Sequence, residues 1–248
     1  KKISLKEIED IYHFFELIKK QGQTLYLVTP CCPDYSKEKV GNQYNFTFNK
    51  IENGIGLVAK RLEKNIKDIH DFLRLNKIRF KHIISIGDFE AYSEKNLIKL
   101  NLTKKEFLKK TRINQKKIEK RFKIKKCVTK KMFSEIFGNE KVWEKNLKKF
   151  YNLIRKGNYG QSGLNEKILE DITKSRVSLY KKWYGNCSFM KYKEILISQA
   201  AEYATMGFLI KKKFKNSLVI GADHHRMSPF YLVGSNISVL YLKKNYIT

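Results

Sequence analysis

A chain of 248 residues with 52 Lys+Arg against 24 Asp+Glu, a formal charge of +28, is long enough to bury one large core. A hydrophobic fraction of 42% and an aromatic fraction of 13% exclude a disordered basic tail, and 3 Pro with 13 Gly exclude collagen-like and low-complexity classes. No apolar run approaches ~20 residues, so no membrane span is expected, and the charged, amphipathic start Lys1-Lys2-Ile3-Ser4-Leu5-Lys6-Glu7 argues against a secretory leader.

Ile3, Leu5, Ile8, Ile11, Tyr12, Phe15 and Ile18 form one stripe and predict a helix over 3–20. Thr24–Thr29 is an apolar run of strand length, followed by a loop with Pro30, Cys31, Cys32, Pro33 and Asp34. Residues 35–53 read as irregular, with an extended piece at Asn45–Phe48, and 55–75 as a helix. His82–Gly87 reads as a second strand, running into Asp88-Phe89-Glu90. Helices are expected over about 103–122, 129–137, 140–155, 164–184 and 190–213, then strands at 217–221 and 238–242. Strands alternating with long helices predict an α/β fold, a Rossmann-like and mostly parallel sheet flanked by helices. With no repeat and no Gly/Ser linker, 1–248 reads as a single α/β domain, with a basic helical layer or sub-region over 103–184.

The charge is mostly lysine, 44 Lys to 8 Arg, an excess of the kind that AT-rich codons also favour. Its distribution is uneven. Half of the residues from Lys104 to Lys131 are basic, and only Glu106 and Glu119 oppose them. Phe107, Leu108, Ile113, Ile118 and Phe122 recur at helical spacing within that stretch. A lysine-coated helix is an electrostatic footprint for nucleic-acid phosphates, here Lys104, Lys105, Lys109, Lys110, Arg112, Lys116, Lys117, Lys120 and Arg121. The cysteines Cys31, Cys32, Cys127 and Cys187 include no CxxC pair, which fits reduced thiols in a cytoplasmic protein.

In open α/β sheets ligands bind beyond the carboxyl ends of the strands. Three such ends carry unusual residues: Thr29–Ser36, Gly87–Glu90 and Gly221–Tyr231, and all three prolines fall in the first and third. Cys31 or Cys32 offers a nucleophile. His224 or His225 offers a proton shuttle. Asp34, Tyr35, Asp88, Glu90, Asp223 and Tyr231 are candidates for holding substrate. On helix 190–213, Gln199, Glu202 and Tyr203 lie on adjacent turns, and Glu202 interrupts an apolar run. No metal site is expected, because adjacent His224 and His225 point oppositely in an extended segment. Gly54-Ile55-Gly56-Leu57-Val58-Ala59 matches GxGxxA without a strand leading into it, and no GxxxxGK[ST] occurs, so no nucleotide cofactor is expected. A metal-dependent nuclease core would need an acid-x-Lys, which Asp88-Phe89-Glu90 lacks.

The order of parts resembles the tRNA-dependent cyclodipeptide synthases, whose Rossmann-like fold is related to class I aminoacyl-tRNA synthetases and which join two amino acids from aminoacyl-tRNAs without ATP. Leu25–Thr29 sits where that family's first strand leads to its serine nucleophile. Thr29 takes the serine's position, with Val28-Thr29-Pro30-Cys31-Cys32 in place of Gly-x-Ser. Strand 82–87 with helix 103–122 looks like the second strand and the tRNA-binding basic helix. Helix 190–213 looks like the bearer of the family's Tyr-x-x-x-Glu pair, through Tyr203, with Gly207 at the glutamate's place and Glu202 acting instead. A Pro-Asp element like Pro33-Asp34 also occurs in the isocyanide synthases.

The resemblance implies an aminoacyltransferase whose partner is aminoacyl-tRNA. Lysines of 104–131 would dock the RNA, and Thr29, Cys31, Cys32, Glu202, Tyr203, His224 and His225 would carry the chemistry. The alternatives are a non-catalytic RNA-binding module and a Rossmann-like small-molecule enzyme such as an isocyanide synthase.

Overall fold

The computed structural model describes residues 5–31, 35–40, 43–48, 56–92, 97–98, 102–157, 166–221 and 238–241. Of these, 5–11, 35–40, 43–48, 56–58, 60–61, 89–90, 110, 114, 182–183, 221 and 238–241 are described by backbone alone. The chain divides into two compact units, one built on a sheet and one of helices.

The sheet unit contains α1 (Leu5–Lys20), β1 (Leu25–Cys31), β2 (Tyr35–Val40), β3 (Gln43–Phe48), α2 (Gly56–Leu75), β4 (Phe80–Ile86), α3 (Lys104–Lys123), β5 (Val128–Lys131), β6 (Ser217–Gly221) and β7 (Ser238–Tyr241). Five strands form one sheet in the order β5-β4-β1-β6-β7, and every pairing is parallel. The chain builds outward from β1 in one direction through β4 and β5, then returns to β1's other side for β6 and β7. This is the doubly wound, Rossmann-like order, with its topological switch between β1 and β6.

Parallel partners in register project to the same face, so Leu27 and His82, Thr29 and Ile84, and Cys31 and Ile86 share one side. That side carries the main core. Phe15 and Ile18 of α1, Ala59, Leu62, Ile66 and Leu73 of α2, and Ile118 and Phe122 of α3 pack with Leu25, Leu27, Cys31, Ile84, Ile86, Leu218 and Ile220. Burial of each such aliphatic side chain contributes roughly 1.5–3 kcal/mol.

The three helices enter their strands through the same turn. After α1, Gln23 N–H reaches the Ile18 carbonyl and Gly22 N–H the Lys19 carbonyl. After α2, Ile78 N–H reaches Leu73 and Lys77 N–H reaches Arg74. After α3, Cys127 N–H reaches Phe122 and Lys126 N–H reaches Lys123. Each is a paired i−5 and i−3 closure that needs a left-handed residue: Gly22 at φ 59°, Lys77 at 56° and Lys126 at 57°. Two lysines thus hold a conformation that glycine adopts without a Cβ penalty.

Two expectations are corrected. The segment 129–137 is not one helix: Val128–Lys131 is a strand and Met132–Phe137 a π-helical turn. Ile83↔Val128 through Ile86↔Lys131 pair in register, so an exposed edge of β4 recruits a β-branched tetrapeptide that its lysines alone leave undecided. Residues 35–53 are not wholly irregular, since β2 and β3 form an antiparallel hairpin from Tyr35↔Phe48 to Val40↔Gln43.

The helical unit contains α4 (Glu140–Arg155), α5 (Glu166–Tyr184) and α6 (Phe189–Lys213). Its core joins Phe150 and Ile154, Leu169, Ile172 and Tyr180, and Tyr192, Leu196, Ile197, Ala200, Ala201 and Ala204. The three alanines keep one face of α6 thin, which lets neighbouring helices approach closely. The basic sub-region read over 103–184 is divided between the units, with α3 in the sheet unit and α4 and α5 in the helical one.

Candidate active site

The carboxyl end of β4 runs into Asp88 and a 3-10 turn, Phe89–Tyr92. Gly87 N–H first bonds the Cys31 carbonyl at 2.8 Å, which fixes the exit of β4 against that of β1. Asp88 is 1% exposed. Its Oδ1 accepts the Phe133 N–H at 2.6 Å, at the start of the π-helical turn. Its Oδ2 is buried without a hydrogen-bond partner. Burial pushes its carboxyl above the usual carboxylate range, against the pull of the Phe133 and Ser134 N–H groups and the Lys131 charge.

Asp88 lines a cleft of about 530 Å3 with Tyr92, Lys105, Leu108, Lys109, Thr111, Arg112, Lys131 and Ser134. α3 supplies one wall. Its N-terminus is held by a capping box in which Thr103 and Glu106 exchange hydrogen bonds, and Phe107, Ile118 and Phe122 are its buried anchors. Lys105, Lys109 and Arg112 remain exposed beside the cleft. Thr111 is buried, and its hydroxyl has no partner. Tyr92 stacks on Phe133 with centroids 3.8 Å apart and planes at 9°, and the Lys104 ammonium lies 4.2 Å from the Tyr92 centroid. The floor can accept a hydrogen bond from a hydroxyl or ammonium group, and the rim can hold anionic oxygens.

The structure brings four residues named from the sequence into this cleft: Asp88, Lys105, Lys109 and Arg112. Lys104 sits over its aromatic wall. Lys116, Lys117 and Lys120 are exposed further along α3. Arg121 is paired with Glu63 of α2 at 3.1 Å, so its charge is engaged within the fold. The side chain of Lys110 lies outside the described residues. Lys131, the last of the basic stretch read over 104–131, also lines the cleft, whereas Tyr92, Thr111 and Ser134 were not anticipated, because only the folded sheet brings their elements together.

Thr29 is fully buried, and its hydroxyl pairs with His82 Nε2 at 2.9 Å. His82 Nδ1 in turn lies 2.9 Å from His70 Nε2. Cys31 is buried among Leu25, Leu27 and Ile86 on the same sheet face. Neither side chain presents its nucleophilic atom to a substrate in this arrangement. Cys32, Asp34, Asp223, His224, His225 and Tyr231 lie outside the described residues, as do the side chains of Tyr35 and Glu90.

In the helical unit, Tyr180 O–H donates to Gln199 Oε1 at 2.8 Å, and Arg176 Nε donates to the Tyr180 oxygen at 3.2 Å. Burial pushes the Tyr180 phenol up to about 12. Burial, then the Glu202 charge, also raise Tyr184, while a hydrogen bond from Gln199 opposes them. Gln199 therefore bridges two phenols, and Glu202 stands beside the second. Glu202 and Tyr203 are half-buried, and Tyr203 packs against the unit's core.

No family model and no curated protein matches the sequence. Among solved structures, the chain is similar to a tryptophanyl-tRNA synthetase from Encephalitozoon cuniculi bound to tryptophan, at 13% identity and a TM-score of 0.47, over 94% of this chain and 56% of that one. It is similar to a cyclodipeptide synthase from Streptomyces noursei at 9% identity and a TM-score of 0.44, over 89% and 96% of the two chains. It is also similar to a cyclodipeptide synthase from Staphylococcus haemolyticus at 11% identity and a TM-score of 0.43, over 92% and 93%. The chain thus spans about 56% of the length of the synthetase. Among the described residues, no helix is long and apolar enough to cross a membrane.

Proposed function

We propose that this chain is an aminoacyltransferase that takes amino acids from aminoacyl-tRNAs and joins them, in the manner of the cyclodipeptide synthases. The observation that carries the reading is the β4-end cleft, in which the buried carboxylate Asp88 faces the same space as Lys105, Lys109, Arg112 and Lys131. A ligand suited to it is anionic at one end and a hydrogen-bond donor at the other. The acceptor end of a charged tRNA offers both: phosphates, and next to them ribose hydroxyls and an α-ammonium group.

Lys105, Lys109 and Arg112 would hold the terminal phosphates, with Lys116, Lys117 and Lys120 continuing the track along α3. Lys104, held over the Tyr92 ring, would add a further cation to the rim, and the Asp88 carboxyl would accept from a hydroxyl or the ammonium. Within the helical unit, Glu202 beside Tyr184 is the carboxylate proposed for an aminoacyl ammonium, with Gln199 and Tyr203 around it. The chemical step is attack of one aminoacyl group's amine on the ester of another. The C–N bond forms, the ester C–O bond breaks, and the tRNA hydroxyl leaves with a proton. Ester aminolysis is downhill, so the reading calls for no ATP site. Cys32, with His224 or His225, is the proposed source of an intermediate acyl acceptor and of proton transfer. A charged-tRNA substrate also implies a cytoplasmic setting.

The test is incubation of the protein with charged and uncharged tRNA pools, following retention and loss of the aminoacyl ester together. Ester loss with formation of an aminoacyl–aminoacyl product is the expected result. Retention without ester loss would leave only an RNA-binding module, and absence of both would point to a small-molecule enzyme.

A further inference from the structure

Beneath the sheet, three side chains from three elements converge away from the cleft. His70 comes from α2, His82 from β4 and Cys127 from the turn between α3 and β5. One ligand atom of each lies within 4.8 Å of the other two. We infer that His70, His82 and Cys127 bind a zinc ion, which clamps α2, β4 and the start of β5 to one another.

The chemistry of the donors carries this. Two imidazoles and a thiol suit a borderline-soft cation, whereas magnesium and calcium take oxygen ligands. Both histidines are already turned nitrogen to nitrogen, His70 Nε2 and His82 Nδ1 being 2.9 Å apart. Thr29 stands behind His82, 2.9 Å from Nε2. That contact holds the ring, and with Thr29 Oγ1 accepting from Nε2–H the Nδ1 lone pair is left for a metal. Phe80 packs against the His70 ring with centroids 4.8 Å apart.

His70 and His82 are 4% and 1% exposed, so both rings sit within the core rather than at a solvated surface. Cys127 is half-buried and packs at the margin of the core, which gives the ion an entry path. Binding forms two Zn–N bonds and one Zn–S bond, and the Cys127 thiol releases one proton to solvent. Tetrahedral zinc then has one position left for water.

The bland alternative is a hydrogen-bonded histidine pair beside an unrelated cysteine. Cobalt separates the two. The full chain, stripped with a chelator, is titrated with Co2+ and then with Zn2+. The expected result is a thiolate-to-cobalt charge-transfer band that saturates at one ion per chain and is displaced by Zn2+. The band should vanish in Cys127→Ser and persist in Cys187→Ser. Thr29→Val, which keeps all three ligands, should weaken Co2+ binding by about 10- to 100-fold through loss of the outer contact. No band in the parent chain, or a band that survives Cys127→Ser, overturns the assignment. So does a Thr29→Val chain that binds as tightly as the parent.

Discussion

The Asp88 carboxylate is tied by a 2.6 Å hydrogen bond to the backbone N–H of Phe133, 45 residues along the chain. The bond spans the ends of β4 and β5 and leaves the other carboxylate oxygen buried without a partner, on a residue that lines the cleft. Asp88→Asn and Asp88→Ala should therefore separate structure from function. The amide keeps an acceptor for Phe133 and removes a buried charge, so Asp88→Asn should match or exceed the parent in thermal stability. Asp88→Ala orphans a buried N–H and should cost about 1–3 kcal/mol. If the proposed function holds, both should lose most ester turnover. An Asp88→Asn chain that is fully active would remove Asp88 from the mechanism.

Lys105, Lys109 and Arg112 border the cleft, whereas Arg121, on the same helix, is held by Glu63 at 3.1 Å. Replacing the first three with glutamine should weaken tRNA binding and make the slope of log K against log salt shallower by about 2 to 3. Arg121→Gln should change the slope by much less and cost stability by about 0–1 kcal/mol, as expected for a part-exposed ion pair. Filter binding across a salt series reads both. Equal slope changes from the two variants would mean that α3 acts as a uniform charged surface rather than through its cleft face.

The buried histidines make acid stability a direct readout. His70 and His82 are held at about 4 and about 3, against 6.5 in the unfolded chain. Between pH 6.5 and about 4 the unfolded state binds the additional protons. The stability is thus fully present above pH 6.5 and is lost as pH falls, with a slope approaching about 2.7 kcal/mol per unit for two protons. Asp88 works in the opposite sense, because its raised carboxyl takes up a proton in the folded state first. Urea midpoints of metal-stripped Asp88→Asn between pH 7 and 5 isolate the histidines, and His70→Asn should roughly halve the slope. A flat profile over that range would exclude neutral, buried imidazoles.

Lys77 and Lys126 hold φ values of 56° and 57° in turns where Gly22 serves after α1. Glycine at either position relieves the Cβ clash but enlarges the unfolded ensemble. The left-handed cost is the larger of the two, so Lys77→Gly and Lys126→Gly should each stabilise the sheet unit by about 1 kcal/mol. The two turns share no residue, so the double variant should be additive in a denaturant series. A loss of stability in both would mean that the lysine side chains make compensating contacts.

Much of the architecture was legible in the chain. The apolar spacing of Ala59, Leu62, Ile66 and Leu73 announces one buried face of α2, and His82–Gly87 reads as a strand because a central parallel strand is apolar on both faces. His70 falls on that same α2 stripe, so a histidine in register with buried aliphatics was a visible sign of the cluster beneath β1. What it would meet was not visible, because His82 and Cys127 reach it only through the folding of β4 and the α3 turn. The helix expected over 129–137 fails for a related reason: Val128–Lys131 becomes a strand by pairing with Ile83–Ile86, a partner more than forty residues away.

The sequence by itself determined the alternation of helices and strands and the lysine coat of α3, and it pointed to the β4 end as a candidate site. Each of these rests on local periodicity or on charge, which neighbours in the chain suffice to set. Only the tertiary structure decided how the described candidates are buried and partnered. It enclosed Thr29 and Cys31, left Asp88 with one buried oxygen unpartnered in a cleft that three cations of α3 also line, and turned His70 and His82 toward each other. Burial and partnership depend on residues tens of positions apart, and the parallel register of the sheet selects them.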